Sequence, residues 1–179
     1  MPRYIAFLRA INVGGHVVKM QVLKELFERL GFVNVETFIA SGNVIFQSPA
    51  KSAASIEEKI ERLLAKELGY AVLTFVRTDV EVARVAAFQP YDEVSEASTL
   101  YIGFLKAAPD RAAEKRLLAA QTERDDFRLD GRELYWRCRG PSSESTFSGQ
   151  KLEKTLAMAT TLRNANTVRR LAAKYPPKA

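Results

Sequence analysis

The sequence predicts an α+β fold of two ferredoxin-like subdomains: a βαββαβ unit, then an incomplete βαββα unit followed by a C-terminal helix. Three observations carry this. Strand-like and helix-like periodicities alternate in the order βαββαβ over residues 1–77. A polar, proline-bearing stretch at 89–98 interrupts the pattern. A similar succession then restarts at residue 99. The expected domains are therefore 1–88 and 99–179, joined by a linker over 89–98.

Residues 3–9 form the first strand. Ile5 and Phe7 lie on one face and Tyr4, Ala6 and Leu8 on the other, so both faces should be covered. Met20, Leu23, Phe27 and Leu30 recur at helical spacing and predict a helix over 19–30, stopped by Gly31. Residues 34–39 and 43–48 read as a hairpin around Ser41-Gly42. Ser55 to Glu58 has capping-box spacing and opens a second helix that buries Ile56, Ile60, Leu63, Leu64 and Leu68 before Gly69. Residues 72–77 close the unit as a strand. Thr78 to Glu81 is a second capping box, starting a short helix that ends by Phe88.

In the second half, 99–105 is a strand and Pro109-Asp110 starts a helix running to Ala120, proline suiting the first helical position. Asp130-Gly131 is a strong hairpin signal. Leu134, Trp136 and Cys138 alternate with Tyr135, Arg137 and Arg139 in the following strand. A Ser/Gly-rich loop over 140–149 leads to a helix with Leu152, Leu156 and Ala159 on one side. The last helix spans 164–174 and stops before Pro176-Pro177. No closing strand is apparent in this half. Each subdomain leaves one apolar sheet face to be covered.

At 179 residues with 47% hydrophobic and 27% charged residues, the chain can build a real core. No run reaches the roughly 18–20 apolar residues of a membrane span. The start of the sequence has no signal-peptide pattern and Cys138 is the lone cysteine, so a reducing cytoplasm is expected. One His and one Cys do not supply a zinc ligand set, and no metal or cofactor is indicated. Val13-Gly14-Gly15 is not a dinucleotide fingerprint, and the phosphate-loop pattern G-x-x-x-x-G-K-[ST] is absent. The net charge of +6 is C-terminal: residues 132–179 hold ten Lys/Arg against three Asp/Glu, whereas residues 1–131 hold 17 against 18. Such an excess attracts phosphate-bearing partners or simply solvates a helix.

Three polar motifs are the candidate ligand site. In the first, Arg9, Asn12, Gly14 and Gly15 follow the opening strand. Paired glycines turn backbone amides into an anion-binding concavity, or merely turn the chain; Arg9 adds a guanidinium fork. The second is Ser41, Gly42 and Asn43, a turn whose side chains also bond their own backbone. The third is Arg163, Asn164, Asn166 and Thr167 at the head of the last helix, where an Asn caps the helix or an anion takes the free amides.

These residues predict a small anionic or phosphorylated ligand held between loops that must meet in space. An enzyme acting on a phosphate ester or amide in the same pocket would need an acid/base group that the motifs do not supply, so catalysis is left open. Nucleic acid is less favoured, because the aromatic pattern of an RNA-binding sheet is missing. The sequence sets no oligomeric state.

Taken together, these motifs resemble a bacterial family catalogued as domain of unknown function 1697. The family's FLRGINVGG corresponds to Phe7 to Gly15, its lysine-methionine step to Lys19-Met20, its YIQSGNVVF to Phe38 to Phe46, and its T-x-RNWNTV-x-KL to Thr161 to Leu171. Ala10 stands where the family usually has glycine, and Ala165 where it has tryptophan. The resemblance implies a two-subdomain α+β fold and brings no established activity.

Overall fold

The computed structural model describes residues 1–92 and 95–178. Glu93 and Val94, within the expected linker, and Ala179 lie outside the described residues. The chain divides into two compact units, Met1–Ala83 with Lys174–Ala179, and Arg84–Ala173.

The N-terminal unit runs β1 (Arg3–Leu8), α1 (Met20–Arg29), β2 (Val33–Phe38), β3 (Asn43–Gln47), α2 (Ala53–Leu68), β4 (Thr74–Thr78) and the start of α3 (Asp79–Ala87). Its four strands form an antiparallel sheet in the order β2-β3-β1-β4, the ferredoxin-like arrangement. Tyr4, Ala6 and Leu8 of β1 join Val44 and Phe46 of β3 on one face. There they pack with Leu23, Leu26 and Phe27 of α1 and Ile56, Ile60 and Leu64 of α2. Burying each such large side chain contributes about 1.5–3 kcal/mol. Ile5, Phe7, Ile45 and Phe75, which alternate with them, are buried as well, as strands apolar on both faces require.

Local chemistry sets the element ends. Gly69 closes α2 with φ +79°, its N–H returning to the Ala65 carbonyl. The Thr78–Glu81 box forms as its spacing predicts: Thr78 N–H donates to the Glu81 carboxylate at 2.8 Å, and Glu81 N–H donates to Thr78 Oγ1 at 3.1 Å. The box expected at Ser55 does not open α2. Ser52 caps it three residues earlier, accepting from Ser55 N–H, and Ala53 in the added turn packs on the core.

The C-terminal unit adds β5 (Ser98–Leu105), α4 (Arg111–Ala119), β6 (Asp125–Asp130), β7 (Glu133–Arg139), α5 (Gly149–Leu156), β8 (Thr160–Asn164) and most of α6 (Ala165–Lys174). Its sheet order, β6-β7-β5-β8, reproduces that of the first unit. Gly131, with φ +60°, turns β6 into β7 as the Asp-Gly signal predicts. Pro109 is not the first helical residue; it precedes Asp110, whose carboxylate accepts from Ala113 N–H at 2.8 Å. The main correction is β8. The fold class holds, but the second unit is a complete βαββαβ. Thr160, Thr161 and Arg163 are polar yet buried, so the strand has no apolar alternation by which to read it.

The two units repeat each other in strand order and register. Tyr4-Ile5-Ala6-Phe7-Leu8-Arg9-Ala10 and Tyr101-Ile102-Gly103-Phe104-Leu105-Lys106-Ala107 are nearly the same segment. Ile5 pairs with Arg77 as Ile102 pairs with Arg163, and Leu8 pairs with Thr74 as Leu105 pairs with Thr160. Leu8 N–H reaches the Gly42 carbonyl at 2.8 Å, and Leu105 N–H reaches that of Arg132 at 2.9 Å. Even the edge protection recurs. Glu61 accepts from Thr74 N–H at 2.8 Å, and Glu153 from Thr160 N–H at 2.9 Å, so a helix carboxylate occupies a backbone donor on each outer strand.

Candidate functional site

The first two motifs meet inside the N-terminal unit. Past β1, Arg9 N–H donates to the Leu73 carbonyl at 2.9 Å, and Ala10 turns with φ +52°. Asn12 then ties the loop together. Its Nδ2 donates to the Ala40 carbonyl at 3.0 Å, and its Oδ1 accepts from Val18 N–H at 2.7 Å. Asn43 is fully buried, its Nδ2 donating to the Phe38 carbonyl at 3.0 Å and to Ser41 Oγ at 2.8 Å. Asn12 and the Gly42 carbonyl, which accepts from Leu8 N–H, thus hold the two turns against each other, while Asn43 fixes the second turn from within. Between the residues clamped by Asn12, Gly14 and Gly15 are exposed with φ +69° and +84°, and a Cβ on either would meet no atom within 4 Å. His16 stacks on Tyr70, ring centroids 3.8 Å apart, and the Tyr70 hydroxyl donates to the Ile11 carbonyl at 3.1 Å. Arg9 is half-buried and Ser41 exposed.

The left-handed conformation at Ala10 explains why the resemblance expects glycine there. An L-residue in that region is strained by about 1 kcal/mol or more. Ala10→Gly is therefore expected to stabilise the protein by about 1 kcal/mol, read from the midpoint of urea unfolding at unchanged slope.

The third motif lies in the C-terminal unit and is not a loop. Arg163 belongs to β8, where it is buried, its Nη1 donating to Thr161 Oγ1 at 2.8 Å and to the Leu162 carbonyl at 2.9 Å. Burial pushes its guanidinium down to about 10, which still leaves it charged at neutral pH. Asn164 ends the strand and caps α6, its Oδ1 accepting from Asn166 N–H at 2.9 Å. Asn166 Oδ1 accepts in turn from Arg169 Nη1 at 3.2 Å. Thr167 is half-buried in the first turn.

Asn164, Ala165, Asn166 and Arg169 form one side of a cavity of about 260 Å³, with Ser98, Thr99 and Leu100 of β5 on the other. Ala165 is buried and contributes only a methyl group, where the resemblance expects a tryptophan. Sequence reasoning found the two asparagines but missed Ser98, Thr99 and Arg169. Arg169 had a signal: it lies four residues after Ala165, hence on the same helix face.

A two-unit α+β protein with a small polar cavity at a strand–helix junction is what the fold and this geometry define. The chain belongs to the family described as "Protein of unknown function (DUF1697)", whose profile matches residues 1–135. No curated relative matches it. Among solved structures it is similar to the conserved bacterial protein SP0830 from Streptococcus pneumoniae, at 21% sequence identity, 99% coverage of each chain and a TM-score of 0.75. At that identity the likeness concerns the fold. Among the described residues, no helix is long and apolar enough to cross a membrane.

Proposed function

We propose that the protein binds a small anionic ligand, and that the ligand sits in the cavity at the head of α6. The observation that carries this reading is the lining itself. Asn164, Asn166, Ser98 and Thr99 supply neutral polar groups, Arg169 a guanidinium, and the helix N-terminus its positive dipole end. A volume of about 260 Å³ suits a ligand smaller than a typical drug. Among the described residues, no carboxylate, histidine, cysteine or lysine lines the cavity, which favours binding over acid/base catalysis. The basic C-terminal excess gives less support to nucleic acid. Arg137 and Arg139 lie 2.6 and 2.7 Å from Asp126, and Arg163 is buried. In this reading the protein works in the cytoplasm, where the lone thiol stays reduced.

The Arg9 loop, with the exposed amides of Gly14 and Gly15 and the hydroxyl of Ser41, is the competing seat. Thermal shift against inorganic phosphate, citrate and succinate separates the two. A ligand at a hundred times its Kd stabilises the fold by about 2.7 kcal/mol. Arg169→Ala is expected to remove the shift, Ala165→Trp to block it by filling the cavity, and Arg9→Ala to leave it. The opposite pattern would move the site to the N-terminal loops. No shift with any of the three anions in the wild-type chain would overturn the reading.

A further inference from the structure

We infer that the group held in this cavity is a carboxylate, so that the ligand is a small carboxylic acid; this rests on the anion reading and narrows it. The ground is the internal repeat. Tyr4 pairs with Thr78 as Tyr101 pairs with Asn164, so Thr78 and Asn164 occupy equivalent positions. The next residues, Asp79 and Ala165, are then the equivalent first residues of α3 and α6.

In the N-terminal unit that place is filled from within the chain. Asp79 is buried, its Oδ1 accepting from Val80 N–H at 2.9 Å while its Oδ2 stands 3.7 Å from Arg3 Nη1. A carboxylate therefore sits at the head of the helix with a guanidinium beside it, the arrangement that both the helix dipole and ion pairing favour.

In the C-terminal unit neither of the two charged groups stands at its equivalent position. Leu100 replaces Arg3, and Ala165 replaces Asp79. Counting on from Asp79 and Ala165, Arg169 stands where the first unit has Ala83. The C-terminal unit thus has a guanidinium on the helix in place of one on the strand and, among the described residues, no carboxylate at the helix head. Whereas α3 has Asp79 and Glu81 in its first turn, α6 has no acidic residue there. Among the described residues, Arg169 donates to the neutral Asn166 and not to a carboxylate. Ala165 and Leu100, the counterparts of Asp79 and Arg3, both line the cavity. A ligand carboxylate entering there would complete the set, with the hydroxyls of Ser98 and Thr99 left to select the rest of a short polar acid.

Two measurements on the full chain decide it. Isothermal titration of the wild type should give succinate at least tenfold tighter binding than inorganic phosphate. Ala165→Asp supplies the carboxylate covalently and should abolish succinate binding while raising the melting temperature. Ala165→Asn, of the same size without the charge, should weaken binding sterically and leave the melting temperature near that of wild type. Phosphate binding as tight as succinate in the wild type, or Ala165→Asp that still binds succinate, would overturn the carboxylate assignment and leave the anion reading standing. A wild-type chain that binds neither would bring down both, and that result needs no variant to fold.

Discussion

Gly42→Ala is expected to destabilise the N-terminal unit by about 2–4 kcal/mol, from backbone strain and overpacking together. Gly42 has φ +79°, a conformation in which an L-residue is strained by roughly 1–2 kcal/mol. Its surroundings add a second penalty. A Cβ there would lie 2.8 Å from Ile11 Cγ2, 3.1 Å from Leu8 Cβ and 3.3 Å from the Leu8 carbonyl oxygen. Leu8 and Ile11 are both buried, so neither moves aside cheaply. The Gly42 carbonyl also accepts from Leu8 N–H, so shifting the turn would stretch the bond that joins the two motifs. Gly14→Ala is the control: φ is +69°, nothing lies within 4 Å, and only the backbone term of about 1 kcal/mol applies. Paired urea unfolding curves of the two variants check this. Equal losses would mean that Gly42 is not clamped between Leu8 and Ile11.

That contrast marks how far residue types alone carry a reading. Gly69 and the Thr78–Glu81 box were readable because each feature has one cheap way to be satisfied: a left-handed helix end, or two reciprocal amide bonds. Strands apolar on both faces announced burial on both faces. By contrast, β8 is polar in sequence and buried in structure, because Thr160 and Arg163 direct their polar atoms to nearby carbonyls, Phe104 among them. The repeat was present in the letters, in Tyr4 to Ala10 and Tyr101 to Ala107, but only strand register shows that Asp79 and Ala165 correspond.

The candidate site was half readable for a related reason. An asparagine that holds a turn and one that holds a ligand present the same amide, and type does not separate them. Asn12 and Asn43 direct theirs to partners inside the N-terminal unit, whereas Asn164, which caps α6, and Asn166 also line a cavity. Arg169 read as one more charge on a solvated helix. Its neighbours on β5 turn it into the wall of a cavity, and they come from a segment more than sixty residues away.

The C-terminal unit depends comparably on Asp125, and Asp125→Ala is expected to cost about 2–4 kcal/mol, since a buried donor left unsatisfied costs about 1–3 kcal/mol and two less buried hydroxyls add about 0.5–1 kcal/mol each. Asp125 is buried at the start of β6. Its Oδ1 accepts from Trp136 Nε1 and from Ser145 Oγ, both at 2.8 Å, and its Oδ2 accepts from Thr122 Oγ1 at 3.1 Å. One side chain therefore joins β6 to β7, to the turn that leads into β6, and to the loop before α5. Alanine would leave an indole N–H and two hydroxyls without that acceptor. Asp125→Asn keeps the shape and an acceptor oxygen, but turns an NH₂ group toward one of the three donors, so a smaller loss of about 1–2 kcal/mol is expected. A second readout separates loss of charge from loss of packing. Cys138 has its thiol pKa raised, first by burial and then by the Asp125 carboxylate beside it. Removing that negative charge favours the thiolate, so Asp125→Asn should speed alkylation of Cys138 by a small reagent, while burial still holds the rate below that of an exposed cysteine. If alkylation were unchanged and Asp125→Ala cost under about 1 kcal/mol, the donors would have found other acceptors, and the carboxylate would not be the tie between these strands.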